Sequence, residues 1–151
     1  MKALILLGCP EMPAQTAMSI WACNKLKKLG YEVVISCNPA AGKLLDVSDP
    51  DKHYLGEKVN IDSYLDEINP GDYDLLLGFV HKDAAASYFV TCYSILNCKS
   101  IALIFEKDQN LINEFEEIVS QNTDAHIVSV RAYHNPNPIK VHLNKAFGEY
   151  L

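Results

Sequence analysis

Short apolar, β-branched runs alternate with stretches of helical spacing along most of this chain, which is the pattern of successive parallel βαβ units. Parallel strands are covered by helices on both faces, so they read as nearly continuous apolar runs. Lys2 to Leu7 is the first such run. Pro13 then suits the first turn of a helix with Ala14, Ala17, Met18, Trp21, Cys23 and Leu26 as its apolar face, and Gly30 ends it. Tyr31 to Cys37 reads as the second strand. Asn38 is placed to cap a short helix that Pro39 begins and that carries Leu44 and Leu45. Ser48 to Lys58 reads as a polar loop, and the helix after it has Ile61, Leu65 and Ile68 on one face and Asn69, Pro70 and Gly71 as its stop.

The third strand, Tyr73 to Val80, is apolar almost throughout, and Asp83 is the expected N-cap of the uncharged helix behind it. The fourth strand is Ser100 to Phe105. Asp108 or Asn110 then caps an amphipathic helix with Leu111, Phe115, Ile118 and Val119 inward and Glu114, Glu116 and Glu117 toward water. His126 to Ala132 is the fifth strand. Past the prolines of Tyr133 to Pro138, Ile139, Val141 and Leu143 alternate with Lys140, His142 and Asn144, a period of two that predicts an antiparallel edge strand before a short terminal helix. The rival is one continuous helix from Ile139. The expected architecture is a single α/β domain over residues 1–151, a three-layer α/β/α sandwich. It has five mainly parallel strands plus the antiparallel C-terminal edge strand, in either Rossmann-like or flavodoxin-like order.

Composition narrows the function classes. A chain of 151 residues with 49% hydrophobic content buries roughly two-thirds of its unfolded surface, so its core needs neither disulfides nor a structural metal. Its 13 basic residues face 19 acidic ones, for a net charge of -6, and no basic cluster exceeds Lys25, Lys27 and Lys28. That balance argues against nucleic acid as a partner. Five cysteines, an odd number without a Cys-x-x-Cys pair, fit a reducing cytoplasm better than a disulfide framework or a zinc knuckle. Ala3 to Leu7 is too short for a signal peptide, and the uncharged stretch from Ala84 to Cys98 spans fifteen residues where a membrane helix needs about 20. A cytoplasmic protein without a membrane partner is expected.

In an open parallel sheet, ligands bind beyond the carboxyl ends of the strands, where strand order reverses. That rule ranks residues by position. Gly8, Cys9 and Glu11 follow the first strand, and Asn38 follows the second. His81 and Asp83 follow the third, Glu106 and Asp108 the fourth, and Arg131, His134 and Asn135 the fifth. Cys9 stands before a helix N-terminus, which favours a thiolate, against the plainer reading that it packs behind Pro10. His134 and His81 are placed for acid-base chemistry or ligand contact near neutral pH. Cys9 and His134 are therefore the catalytic candidates. Glu106 and Asp108 read first as helix caps, and a metal shared by Cys9, His81 and His134 lacks any spacing motif, so no metal is assigned. Neither G-x-G-x-x-G, a Walker loop nor G-x-S-x-G occurs, so no particular cofactor is indicated.

Four segments carry a resemblance: G-C-P-E-x-P at 8–13, C-N-P-A-A at 37–41, G-F-V-x-x-D-A-A-A at 78–86 and R-A-x-H-N-P-x-P at 131–138. Together they resemble a domain-of-unknown-function family of about 150-residue α/β proteins from methanogenic archaea. The resemblance implies one α/β/α domain in an archaeal cytoplasm. It marks Gly8, Cys9, Pro10, Asn38, Asp83, His134, Asn135 and Pro136 as motif positions, leaves position 81 open, and carries over no catalytic residue. Three functions are weighed. The first is a small-ligand or cofactor-binding domain using the strand-end crevice, with any catalysis left open. The alternative is a homodimer or higher homo-oligomer without chemistry, in contact through the uncharged helix. The third is thiol or sulfur-transfer chemistry at Cys9.

Overall fold

The N-terminal strand lies near the middle of the sheet, and the rest of the chain is wound outward from it. The computed structural model describes residues Met1–Leu151. Its elements are β1 (Lys2–Leu7), α1 (Ala14–Lys28), β2 (Glu32–Cys37), α2 (Pro39–Ser48), β3 (Glu57–Asn60) and α3 (Ile61–Tyr64), then β4 (Leu75–Val80), α4 (Asp83–Leu96), β5 (Lys99–Glu106), α5 (Gln109–Asn122), β6 (His126–Arg131) and α6 (Asn137–Tyr150). The six strands form one sheet in the order β3-β2-β1-β4-β5-β6, and every neighbouring pair is parallel. Of the two orders left open by the sequence, this is the Rossmann-like one.

Alternate side chains of each strand enter two separate cores, which is why the strands read as apolar on both faces. Ile5, Leu77 and Leu103 pack with Met18 of α1, Leu45 of α2 and Leu143 of α6. Leu4, Leu76 and Ile104 pack on the opposite face with Phe89 of α4 and Phe115 of α5.

The antiparallel edge strand predicted at Ile139–Leu143 is absent, because those residues open α6. Ile139, Leu143, Ala146 and Phe147 are the buried positions, a helical i, i+4, i+7, i+8 stripe, while Val141 is 65% exposed. Pro136 and Pro138 sit at the helix start, where a missing N–H costs nothing. Val141→Asp is accordingly expected to change stability by less than about 0.5 kcal/mol, as at other open surface sites. A strand would place Val141 beside Ile139 and Leu143, so a large loss on urea unfolding would contradict the helix.

The sixth strand comes instead from β3, inside and just past the segment read as a polar loop. Its sequence Glu57-Lys58-Val59-Asn60 holds one apolar residue, as an edge strand permits. The connection into it is fixed by Asp49, which is 4% exposed and accepts from the N–H groups of His53, Tyr54 and Leu55 at 2.9, 2.9 and 3.0 Å. Burial raises the Asp49 pKa, and the three donors more than offset it, so the carboxyl titrates below its ordinary range. Gly56 then runs so close to β2 that a Cβ there would lie 1.8 Å from the Val33 carbonyl oxygen.

Three smaller expectations also change. The helix predicted around Ile61, Leu65 and Ile68 is the single turn α3, although Ile61 and Ile68 are buried as expected. In α1 the buried stripe is rotated to include Gln15 and Ser19, leaving Ala17 exposed. The N-cap of α4 is Lys82, not Asp83, which lies inside the first turn. Past Asp83 this helix carries no charge; it buries Ala85, Ala86, Phe89, Cys92 and Leu96 and turns Ala84, Ser87, Thr91 and Ser94 outward. No helix is long and apolar enough to cross a membrane.

Candidate functional site

Adjacent strands β1 and β4 send their chains to opposite faces, β1 into α1 and β4 into α4, so the loops after them diverge and open a crevice. Gly8 lets the start of α4 come close: a Cβ there would stand 3.2 Å from the Ala85 Cβ and 3.4 Å from His81 Nε2. Gln15, buried in the first turn of α1, ties both loops together. Its Nε2 donates to the Gly8 carbonyl at 3.0 Å, and its Oε1 lies 3.1 Å from His81 Nε2. An amide oxygen only accepts, so His81 carries its proton on Nε2 and has a bare lone pair on Nδ1. Nδ1 is buried and receives no donor from the chain. Burial lowers the His81 pKa and holds the ring neutral.

Across the crevice, Glu11 pairs with Lys82, both substantially exposed. The hydrogen bond from Lys82 lowers the Glu11 carboxyl pKa, and its counterpart raises that of the Lys82 ammonium. Cys9 is exposed, so it does not pack behind Pro10. Nor does it stand at a helix end, since α1 starts only at Ala14 and its first N–H is taken by the Tyr133 carbonyl at 3.2 Å. Its partner is Asn38, whose Oδ1 caps α2 by accepting from Ala41 N–H at 2.8 Å. That turns Nδ2 toward Cys9 Sγ, 3.4 Å away.

A cavity of about 180 Å³ opens beside this pair. Gly8, Cys9 and Asn38 line it from the sheet edge, Lys82 and Tyr88 from α4, and Asp62 from α3. The Tyr88 hydroxyl donates to the Asp62 carboxylate and links the two helices. A second cavity, about 340 Å³, lies between α4 and α5 and is lined by His81, Asp83, Glu106 and Glu114 with Leu111 and Phe115. Lys82 and Ala84 belong to both walls.

The residues ranked from sequence therefore separate into groups. Gly8, Cys9 and Asn38 meet at the first cavity, with Glu11 reaching the same rim through Lys82, and His81, Asp83 and Glu106 meet at the second. Glu106 also accepts from Lys107 N–H at 2.7 Å, and Asp108 caps α5 by accepting from Asn110 N–H at 2.9 Å. Arg131, His134 and Asn135 line neither cavity. Arg131 Nε donates to the Lys107 carbonyl, Asn135 Oδ1 accepts from Asn137 N–H, and His134 sets its ring against Tyr133. No three His, Cys, Asp or Glu side chains converge as a metal site would require, so Cys9, His81 and His134 are not brought together.

Sequence reasoning missed Gln15, Lys82, Asp62 and Tyr88. A polar residue inside the apolar stripe of α1 marks Gln15, and direct succession to a strand end marks Lys82. Asp62 depends on β3, and nothing local marks that strand.

A family model described as "Domain of unknown function (DUF1890)" matches residues 4–146. The chain is 38% identical over 141 residues to "Uncharacterized protein MJ0452" of Methanocaldococcus jannaschii, covering 92% of each. It is also similar to the solved structure of MT0777, with a TM-score of 0.97, 42% identity and 99% of each chain covered. The cypemycin decarboxylase CypD superposes with a TM-score of 0.56 over 100% of this chain and 95% of that one, at 10% identity, a likeness of fold alone.

Proposed function

We propose a function on the premise that this chain belongs to the DUF1890 family: it binds a small polar ligand in the cavity beside Cys9, at the reversal of strand order. The supporting observation is the Cys9–Asn38 contact on the wall of that cavity. One end of the Asn38 amide is locked to α2, so the other presents donors beside an accessible thiol. At about 180 Å³ the cavity has room for a few heavy atoms, and Lys82, Asp62 and Tyr88 supply charge and hydrogen bonds for orientation. Such a ligand is a small metabolite or the polar end of a larger cofactor.

The test is a thermal-shift screen of nucleotides, thiol cofactors and divalent metals, read with the rate of Cys9 alkylation. A ligand of this cavity raises Tm and slows alkylation of Cys9, and Asn38→Ala weakens both effects. If no compound raises Tm, or one does so while Cys9 alkylates at the unliganded rate, the cavity is not the site.

A second reading, sulfur chemistry at Cys9, is favoured by that thiol being the exposed one of five; Cys23, Cys37 and Cys92 are buried. It requires Cys9→Ser to retain ligand binding while losing turnover.

A further inference from the structure

The two edges of the sheet are finished differently. At one, β3 is four residues long and carries Glu57, Lys58 and Asn60, the short and charged form that discourages a further strand. At the other, β6 is six residues long, and its inner four, Ile127-Val128-Ser129-Val130, hold no charge, proline or glycine. One bond gives the direction of its backbone groups. Ala132 N–H donates to the Glu106 carbonyl at 3.1 Å, and successive residues of a strand turn alternately toward and away from a neighbour, so Val128 and Val130 also address β5. Ile127, Ser129 and Arg131 therefore turn their N–H and C=O groups outward, where no other part of the chain bonds to them. Nor does α6 close the edge. A groove of about 260 Å³ runs there, between residues 126–129 and His142, Lys145 and Glu149 of that helix. A second observation comes from a side chain: the Ser129 hydroxyl is buried and has no hydrogen-bond partner, a state that marks a missing one.

Outward N–H and C=O groups in alternation match one kind of occupant, another strand. We propose that β6 pairs with β6 of a second copy of this chain, antiparallel across a twofold axis, joining two six-stranded sheets into one. Symmetry fixes the register. Facing residues of an antiparallel pair exchange both bonds, so only a register centred on Ser129 uses all the outward groups. Ile127 then faces Arg131 of the second copy, and Ser129 faces Ser129. A strand joins its own copy in this way only if it is self-complementary. Here Val128 lies opposite Val130, the two arginines stand at opposite ends of the junction, and each Arg131 stem can lie along Ile127. Val128 and Val130 belong to the α6 face, so both Ser129 side chains share the α5 face. A turn about χ1 lets each hydroxyl serve the other. The homodimer weighed from the sequence thus meets along β6 rather than through α4, and it stands or falls independently of the cavity beside Cys9.

The test combines light scattering at about 100 μM with residue-resolved amide hydrogen exchange. The expected mass is twice the 16.9 kDa of the chain. Ile127, Ser129 and Arg131 amides are expected to exchange slowly, like those of Val128 and Val130, and to lose that protection on dilution. Ser129→Pro removes an N–H that nothing in the single chain uses, at an edge position where proline is tolerated, so a folded chain of single mass is expected. The proposal is overturned by a single-chain mass, by a dimer in which these three amides exchange as fast as exposed ones, or by a folded Ser129→Pro chain that keeps the double mass. The exchange pattern of the unaltered chain decides the matter even if the proline variant does not fold.

Discussion

Replacing Phe89 with alanine is expected to cost about 3–5 kcal/mol, the range for emptying an aromatic site in a close-packed core. Phe89 is fully buried on the inner face of α4 and sets the edge of its ring against Gly78 of β4. For a domain of this length the loss lowers Tm by roughly 10 °C, checked by thermal or urea unfolding. The same contact predicts a second, coupled effect. A Cβ on Gly78 would stand 2.3 Å from the Phe89 ring, so Gly78→Ala overpacks the site and costs about 1–3 kcal/mol. With Phe89 already truncated, the added methyl enters the space left behind, and the second cost shrinks or changes sign. A double-mutant cycle with a coupling energy near zero would show that Phe89 does not seat α4 on Gly78. The seat also positions one wall of the cavity beside Cys9, since Lys82, Ala84, Ala85 and Tyr88 at the start of the same helix line it.

The second large effect concerns Gln15. Gln15→Ala leaves the Gly8 carbonyl and the His81 Nε2–H without partners, and each buried orphan is worth about 1–3 kcal/mol. Gln15→Glu keeps an acceptor for His81 but buries a carboxyl against the Gly8 carbonyl oxygen, so a loss at least as large is expected. The His81 pair also has a pH signature. Burial lowers the folded pKa of His81, so the unfolded chain binds the proton more tightly. Its contribution to stability is therefore complete above the ordinary histidine pKa of about 6.5 and declines as pH falls through the window down to the depressed folded value. His81→Gln retains a donor toward Gln15 and removes the titration. Urea unfolding between about pH 5 and 7 should then show a flatter pH dependence than the unaltered chain, and an unchanged slope would assign it elsewhere.

How far the sequence disclosed this molecule depended on where each signal was stored. The central strands were legible because Leu4, Ile5, Leu76, Leu77, Leu103 and their neighbours are apolar on both faces, a demand that only a covered parallel sheet makes, while the edge strand β6 shows itself in Ile127, Val128 and Val130. The strand β3 was not, since an edge strand of four residues satisfies one side of its backbone in solvent and keeps Val59 as its sole apolar residue. At the C-terminus, Ile139 and Leu143 fit a period of two and a helical i, i+4 spacing equally well. Val141 decides between them, and its exposure is a property of packing. The residues around the crevice divide in the same way. Gly8, Cys9 and Asn38 are ranked by their positions at strand ends and line one cavity, whereas Asp62 reaches that cavity, and Gln15 the loops beside it, through tertiary contacts. His134 looked equivalent to His81 in the sequence, yet its loop turns to meet the start of α1 through the Tyr133 carbonyl.

The central position of β1 has a consequence for synthesis. Lys2 N–H is bonded to the Asp74 carboxylate, 72 residues farther along the chain, and β4 follows directly after it. At about 5–20 residues per second, β1 waits on the order of ten seconds on the ribosome for its second neighbour. In that interval β2 can pair with it and β3 with β2, and α1 and α2 can cover one face, while Leu4, Leu6 and Val34 on the other face await α4. The nascent chain thus carries an exposed apolar sheet face, a target for holding chaperones, until the strand that completes the crevice emerges.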